Sequence, residues 1–357
     1  MKRKIKIGII GAGGIAQYAH IPTYKKAENV EITSIADTNV EKLKYASQKF
    51  DIPKTFTNWE DMLNEDIDAV SICTPNIFHS IQSIKAMEAG KHVLCEKPLC
   101  LTEQEVEDVF NTSEKTKMKF MGAMPKRYSG EAQIMKKLIE NGHFGEIYYM
   151  KASYMRRRGI PGLNTWFTNK RLAGGGPMMD LGVHIIDFLI YLTGIFNPVT
   201  VFGTTYSKFF DSTTDGGWPP LDTRIGNKFI EEVNVEDLSS GFVKFANGAT
   251  LFVETSWAGN CETGTKISIL GTKAGAQLPD PENAKNPIKI FGEIEEVLSD
   301  TIPTIPPTKA FDEEINHFLK CVREDVDTGT KKDEILTVTR IIDGIYRSAE
   351  SGKPIMY

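Results

Sequence analysis

Short apolar runs alternate with amphipathic stretches through the first third of the chain. IKIGII (5–10), VEITSIA (30–36), DAVSIC (68–73), KHVLCE (91–96) and MKFMGA (118–123) each have the length and apolar content of a buried strand. Helical spacing lies between them, with Gly90 stopping one helix and another running from about Thr102 to Lys115. Strands alternating with helices predict a doubly wound parallel sheet with helices on both faces. Beyond residue 124 the pattern changes. GEIYYMKASYMRR (145–157), PVTVFGTTYSKF (198–209) and TKISILG (265–271) read as strands, and GFVKFANGATLFVETSWA (241–258) as a hairpin turning at Asn247-Gly248. Strand following strand predicts a second domain with a mostly antiparallel, open-faced sheet and packed helices, one of them over 178–193. The division expected is 1–123 and 124–357, with the closing helices free to pack back on the first part.

The hairpin carries large apolar residues on both faces, Phe242 and Phe252 beside Val243 and Val253. A sheet with one face in water alternates cleanly, so a second subunit is the simplest cover, in a homodimer or homotetramer. Residues 208–236 lack periodicity and are rich in Gly, Pro and Asp, which marks a functional rim, a subunit contact or an ordinary surface loop. TIPTIPPTK (301–309) is an extended tether to the last two helices.

Composition narrows the class without choosing the chemistry. Of 357 residues, 41% are hydrophobic and 25% charged, with a net charge of −5 and no basic block, so nothing points to nucleic acid or an anionic membrane. The uncharged run 188–207 is broken by Gly194, Asn197 and Pro198, which argues against a membrane span. Five cysteines (73, 95, 100, 261 and 321) without a C-x-x-C pair read as reduced thiols of a cytoplasmic protein, and no His/Cys cluster has metal-ligand spacing.

The chemistry begins at GAGGIA, where Gly11, Gly13 and Ala16 follow the first strand and open a helix. The second strand ends in Asp37, 21 residues past Ala16. This is the dinucleotide fingerprint in its proper setting. Gly11 makes the turn, Gly13 admits the pyrophosphate, Gly14 and Ile15 lie at the helix start, and Asp37 accepts from the adenosine ribose. Ligands of such sheets sit beyond the carboxyl ends of the strands, where Thr74, Pro75, Asn76, His79, Glu96, Lys97 and Arg127 fall. Lys97 precedes a proline, so its backbone is held extended on that rim.

GGGPMMDLGVHIIDF (174–188) sets Asp180, His184 and Asp187 at i, i+4 and i+7 of a predicted helix after three glycines. The plain alternative is a satisfied core histidine between two helix-face carboxylates. Asp187 either orients His184 or is such a carboxylate. YMRRRGIPGLNTWF (154–167), with Arg156 and Trp166, either lines a polar pocket or ends a strand in solvated arginines.

GAGGIA, Asp37, CTPNIFH, CEKPL and GGGPMMDLGVHIID, with FDEEINHFLKCV and IIDGIYRSAESGKPI near the end, together resemble the glucose-fructose oxidoreductase / inositol dehydrogenase / MocA (Gfo/Idh/MocA) family. That resemblance implies an NAD(P)-dependent oxidoreductase with Lys97 catalytic and Asp180 and His184 in substrate binding and proton handling. Ala16 stands where many members have glycine. A lysine ammonium has an unperturbed pKa of about 10.4, so a lysine base needs burial and a neighbouring cation to give up its proton. A set of donors and acceptors of this kind suits vicinal hydroxyls, as in a sugar or cyclic polyol, with Lys97, Arg127, Arg156, Trp166, Asp180 and His184 as substrate-binding candidates. Asp37, followed by Thr38 and Asn39 and no arginine, favours NAD over NADP. A cofactor-bound sensor without turnover and an NAD-dependent glycosidase acting by oxidation and elimination remain open beside the dehydrogenase.

Overall fold

The computed structural model describes residues 3–211, 216–226, 229–230, 232–279 and 287–357. The first sheet contains β1 (Ile5–Ile10), β2 (Val30–Ala36), β3 (Lys54–Phe56), β4 (Ala69–Ile72), β5 (His92–Glu96) and β6 (Phe120–Ala123), in the order β3-β2-β1-β4-β5-β6. Every neighbouring pair is parallel. This is the doubly wound dinucleotide-binding order, whose direction reverses between β1 and β4 and so opens a crevice at the carboxyl ends of those strands. Ile7, Ile9, Val70, Ile72, Val93 and Leu94 are fully buried, as expected of strands covered on both faces.

The second sheet has nine strands among the described residues: β7 (Ile147–Met155), β8 (Pro198–Tyr206), β9 (Leu238–Phe245), β10 (Thr250–Ser256), β11 (Gly264–Gly271), β12 (Gly275–Pro279), β13 (Lys289–Ile294), β14 (Val297–Thr301) and β15 (Ile355–Met356). Their order is β14-β13-β12-β11-β7-β10-β9-β8-β15. Only β7 and β10 pair in parallel. The helices Val183–Thr193 and Lys332–Ser351 cover its inner face, burying Val201, Val243, Leu251 and Val253 against Ile186, Ile190, Ile341 and Ile345. On the outer face Phe252 pairs with Phe242, and Phe242 with Phe202. Phe242 and Phe202 are 49% and 42% exposed, so the apolar row crosses an uncovered surface.

The closing helices go to different places. Ala310–Glu324 packs on the first sheet through Ile315, Phe318 and Leu319, whereas Lys332–Ser351 belongs with the second. The 208–236 loop is described only in part, and residues 212–215, 227–228 and 231 lie outside the described residues. Its middle crosses to the first sheet's helices. Trp218 meets Tyr18 edge-on at 5.6 Å, Pro219 lies against Gly14, and Asp222 pairs with Lys49 at 2.8 Å.

Candidate active site

At the cofactor crevice the chain leaves β1 through Gly11, whose φ of +98° suits glycine alone, and a Cβ there would come within 2.5 Å of the Cys73 carbonyl oxygen. At Gly13 a Cβ would meet only that oxygen, at 3.9 Å, so the backbone is open to an approaching group. Ala16 is fully buried where helix and strand pack. The Ala12 amide donates to Asp37 Oδ2 at 2.9 Å and the Asn39 amide to Oδ1 at 2.8 Å, which fixes the carboxylate at the end of β2. These features fit a dinucleotide: Gly13, Gly14 and Ile15 for the pyrophosphate, Asp37 for the ribose hydroxyls.

Around the far rim the residues divide their work. Asn76 Nδ2 donates to the Ala173 carbonyl at 2.7 Å, tying the end of β4 to the second domain. Thr74 Oγ1 donates to Gln82 at 2.6 Å. His79, expected at the cofactor, has both ring nitrogens taken by backbone carbonyls. It is buried between two carbonyls, with Nδ1 2.7 Å from Pro98 O and Nε2 2.8 Å from Thr74 O, and so holds the ends of β4 and β5 together. Glu96, also expected at the cofactor, has its carboxylate engaged within the protein, as neighbouring strand residues point to opposite faces. Its side chain turns inward to His20 Nε2 at 2.8 Å, and its other oxygen accepts from the Lys97 amide at 3.2 Å.

Lys97 faces the cleft. Its Nζ donates to Asp180 Oδ1 at 2.7 Å and to the Asp180 carbonyl at 3.0 Å, and each of these two side chains is 16% exposed. Asp180 lies in a wide π-turn, Met178–Gly182, that runs into the helix Val183–Thr193. Close packing at the glycine run makes that turn possible. A Cβ at Gly176 would lie 2.1 Å from the Glu236 carbonyl oxygen, and the Glu236 carboxylate accepts from the Gly176 amide at 2.9 Å and the Met178 amide at 3.2 Å. A buried carboxylate thus caps the first turn, where helix dipole and free amides favour it.

Burial alone would raise the Asp180 carboxyl, but Lys97, Arg156 and the Lys97 hydrogen bond outweigh it and hold it at about 2. His184 moves the other way for a base. Burial first, then Lys97 and Lys126, press its pKa well below 6.5, so the imidazole is neutral at pH 7. Its Nδ1 is buried without a hydrogen-bond partner. A fixed carboxylate, a lysine and a neutral imidazole with a spare nitrogen make up a proton-handling set.

Arg127 is not in that set. Pro125–Tyr128 is a 3₁₀ turn, in which successive side chains project about 120° apart, so Lys126 and Arg127 face different ways. Arg127 forms a two-pronged pair with Asp187, Nε to Oδ2 at 2.8 Å and Nη2 to Oδ1 at 2.5 Å, and reaches Glu334 at 2.5 Å. Asp187 is therefore spent on Arg127 and does not orient His184. Lys126, unlike Arg127, is near enough to His184 to disfavour its protonation. Its Nζ lies 5.5 Å from the Tyr154 ring centre, and the Arg156 guanidinium sits 5.4 Å from the same ring. Trp166 stacks on Phe167 at 3.9 Å. The sequence reading missed Lys126 and also Trp257, whose indole Nε1 donates to Asp180 Oδ2 at 3.0 Å. The first was legible in principle, since a proline opening a tight turn makes neighbours diverge. Trp257 had no local signal.

The fold and this site define a dinucleotide-dependent oxidoreductase. Residues 5–123 match the oxidoreductase family with an NAD-binding Rossmann fold, and residues 132–277 match the GFO/IDH/MocA C-terminal domain. The chain belongs to the Gfo/Idh/MocA family. It is 29% identical to the D-glucoside 3-dehydrogenase of Escherichia coli K12 over 98% of this chain and 96% of that one. It is 29% identical to the levoglucosan dehydrogenase of Pseudarthrobacter phenanthrenivorans over 71% and 68% of the two chains. A levoglucosan dehydrogenase solved with NADH and L-sorbose shares the fold at a TM-score of 0.81 and 23% identity, covering 99% of each chain.

Proposed function

We propose that this protein is an NAD-dependent dehydrogenase that oxidises a hydroxyl-bearing carbon of a sugar, cyclic polyol or sugar derivative. The observation that carries this reading is the Lys97–Asp180 pair at 2.7 Å on the carboxyl rim of the parallel sheet, with neutral His184 one turn along. The dehydrogenase relatives support the class of substrate. When bound, NAD supplies the hydride acceptor. Lys97 first releases its own proton to solvent through the cleft, which a neighbouring cation favours. Its amine then takes the hydroxyl proton as the carbonyl forms, and Asp180 stays ionised and steadies the resulting ammonium. His184 contacts a neighbouring hydroxyl through Nδ1 and relays protons, while Lys126, Arg156 and Trp166 shape the rest of the pocket. Asp37 repels a 2′-phosphate, which makes NAD the preferred cofactor. The free thiols fit a cytoplasmic setting, and a second copy of the chain covers the Phe202–Phe242–Phe252 row.

The test is NADH formation over a panel of glucosides, free sugars and inositols, with Lys97→Ala as control. NAD-dependent oxidation of at least one compound, lost in Lys97→Ala, is the expected result. Aglycone release without accumulating NADH would replace the reading by the glycosidase, and binding without turnover by the sensor.

A further inference from the structure

Asp180 has two carboxylate oxygens and two unlike partners. Oδ1 receives the Lys97 ammonium at 2.7 Å, and Oδ2 receives the indole N–H of Trp257 at 3.0 Å. Trp257 is fully buried and lies one residue past the end of β10. Its own amide donates to the Asp237 carbonyl at 2.9 Å, which anchors the backbone that carries the ring. The ring sits in a small separate cluster with Ile160, Leu181, Val235 and Ala258, against which Leu163, Phe209 and Phe210 pack. That cluster gathers the segment after β7, the π-turn and both ends of the 208–236 loop. Tryptophan brings one polar atom, and that atom points at Asp180. A buried indole N–H needs a partner, and a donor to an ionised carboxylate forms a stronger bond than one between neutral groups.

We propose that Trp257 is a positioning residue for the proton-transfer site, holding the Asp180 carboxylate in the rotamer that presents Oδ1 to Lys97. The proposal rests on the dehydrogenase reading above. A carboxylate held by one oxygen can swing about its χ2 bond, whereas one held by both has a single aim. The indole donor also stabilises the ionised form of Asp180, beside the charges facing it from Lys97 at the end of β5 and Arg156 after β7, with the neutral His184 on its own helix. Lys126, on the 3₁₀ turn, acts on His184 as a neighbouring positive charge. Trp257 touches no reacting atom. It joins the folding of the long loop's ends to the aim of the carboxylate.

The experiment is Trp257→Phe, which removes the N–H and keeps most of the ring. An isosteric benzothienylalanine at 257, with sulfur in place of N–H, serves if phenylalanine leaves a cavity that impairs folding. Activity is measured against the best substrate of the panel across pH, and each variant is repeated in an Asp180→Asn background. Loss of one hydrogen bond to a charged group corresponds to a fall of about tenfold or more in kcat, with the KM for NAD unchanged. The acid limb of the profile moves to higher pH, because ionised Asp180 has lost a donor. In the Asp180→Asn background the substitution at 257 has little further effect, since the two act through one contact. A lower melting temperature with an unmoved acid limb, or equal losses in both backgrounds, would overturn the proposal and leave Trp257 as core packing. If Lys97→Ala remains fully active, it is the dehydrogenase reading that has failed.

Discussion

Two carboxylates seven residues apart meet cations that follow neighbouring strands of the first sheet, Lys97 after β5 and Arg127 after β6, yet they form opposite kinds of site. Asp180 meets Lys97 in a cleft where both side chains remain 16% exposed. Asp187 meets Arg127 where the side chains are 2% and 6% exposed, with Glu334 closing the other side of the guanidinium. The second arrangement uses a cation that cannot lose its proton and fills its fork with two carboxylates. It joins the 3₁₀ turn after β6, the helix Val183–Thr193 and the closing helix Lys332–Ser351. The first uses a cation that can give up a proton and leaves beside it an imidazole nitrogen with no partner. Charge pairing alone therefore does not mark an active site. What separates the two is a titratable cation, an unspent nitrogen and access from the cleft.

The largest effect expected from breaking this contrast is at Lys97. Lys97→Ala should lower kcat by about 10²–10⁴, the usual contribution of a positioned acid–base group, with NAD affinity from fluorescence titration little changed. Arg127→Ala should reverse the profile. It strands two buried carboxylates and should cost about 3–5 kcal/mol of stability in denaturant unfolding, while kcat per folded molecule stays close to normal. If Arg127→Ala abolished turnover in a well-folded protein, the division between the two pairs would collapse.

His184→Gln sharpens the comparison from the helix that carries both carboxylates. It should lower kcat and alter the pH–rate profile, and should move the melting temperature less than Arg127→Ala does. A large drop in melting temperature with normal kcat would make His184 a packed core residue. At the other end of the crevice, Asp37→Ser removes the charge that the proposed function assigns to the ribose hydroxyls. Its kcat/KM with NAD should fall about tenfold or more while that with NADP rises. A higher kcat/KM with NADP in the unaltered protein would refute the assignment.

The smallest effect is in acid stability. Asp180 is held at about 2 against an ordinary 3.8, so its contribution is full above the ordinary value and lost as the pH falls towards 2. His184, held well below 6.5, adds a second acid-sensitive share, because the unfolded chain binds a proton that the folded site refuses. Urea unfolding across acid pH should therefore show a shallower loss for Asp180→Asn than for the unaltered protein. An equally steep loss would mean that other carboxylates carry the effect.

Much of the architecture was legible because strands and helices leave local periodic traces. The five apolar runs, the glycine fingerprint with Asp37, the Asn247-Gly248 hairpin and its two apolar faces each lie within one stretch of chain. Short or polar strands left no such trace, and β3 with its KTF and the exposed β13–β14 hairpin went unread. Lys97, Asp180 and His184 stood out because a strand-end lysine before proline and a polar stripe on an apolar helix are local signals, and the fold brings them together.

Which partner each charge takes was not local. Arg127 and Lys126 are neighbours in sequence and look interchangeable there, and only the tight turn sends one to Asp187 and the other to the cleft. Asp187 read as the third member of a seam until a buried guanidinium claimed it. His79 and Glu96 sat on the right rim but turn inward, to two carbonyls and to His20. Trp257 reaches Asp180 across 77 residues. Sequence by itself determined the elements, the cofactor crevice and the residue types gathered at its rim, because hydrophobic period and turn chemistry act over a few residues. Tertiary structure alone decided the pairings, because burying a charge is costly without a partner, and the partner is whichever group the packed elements bring within about 3 Å.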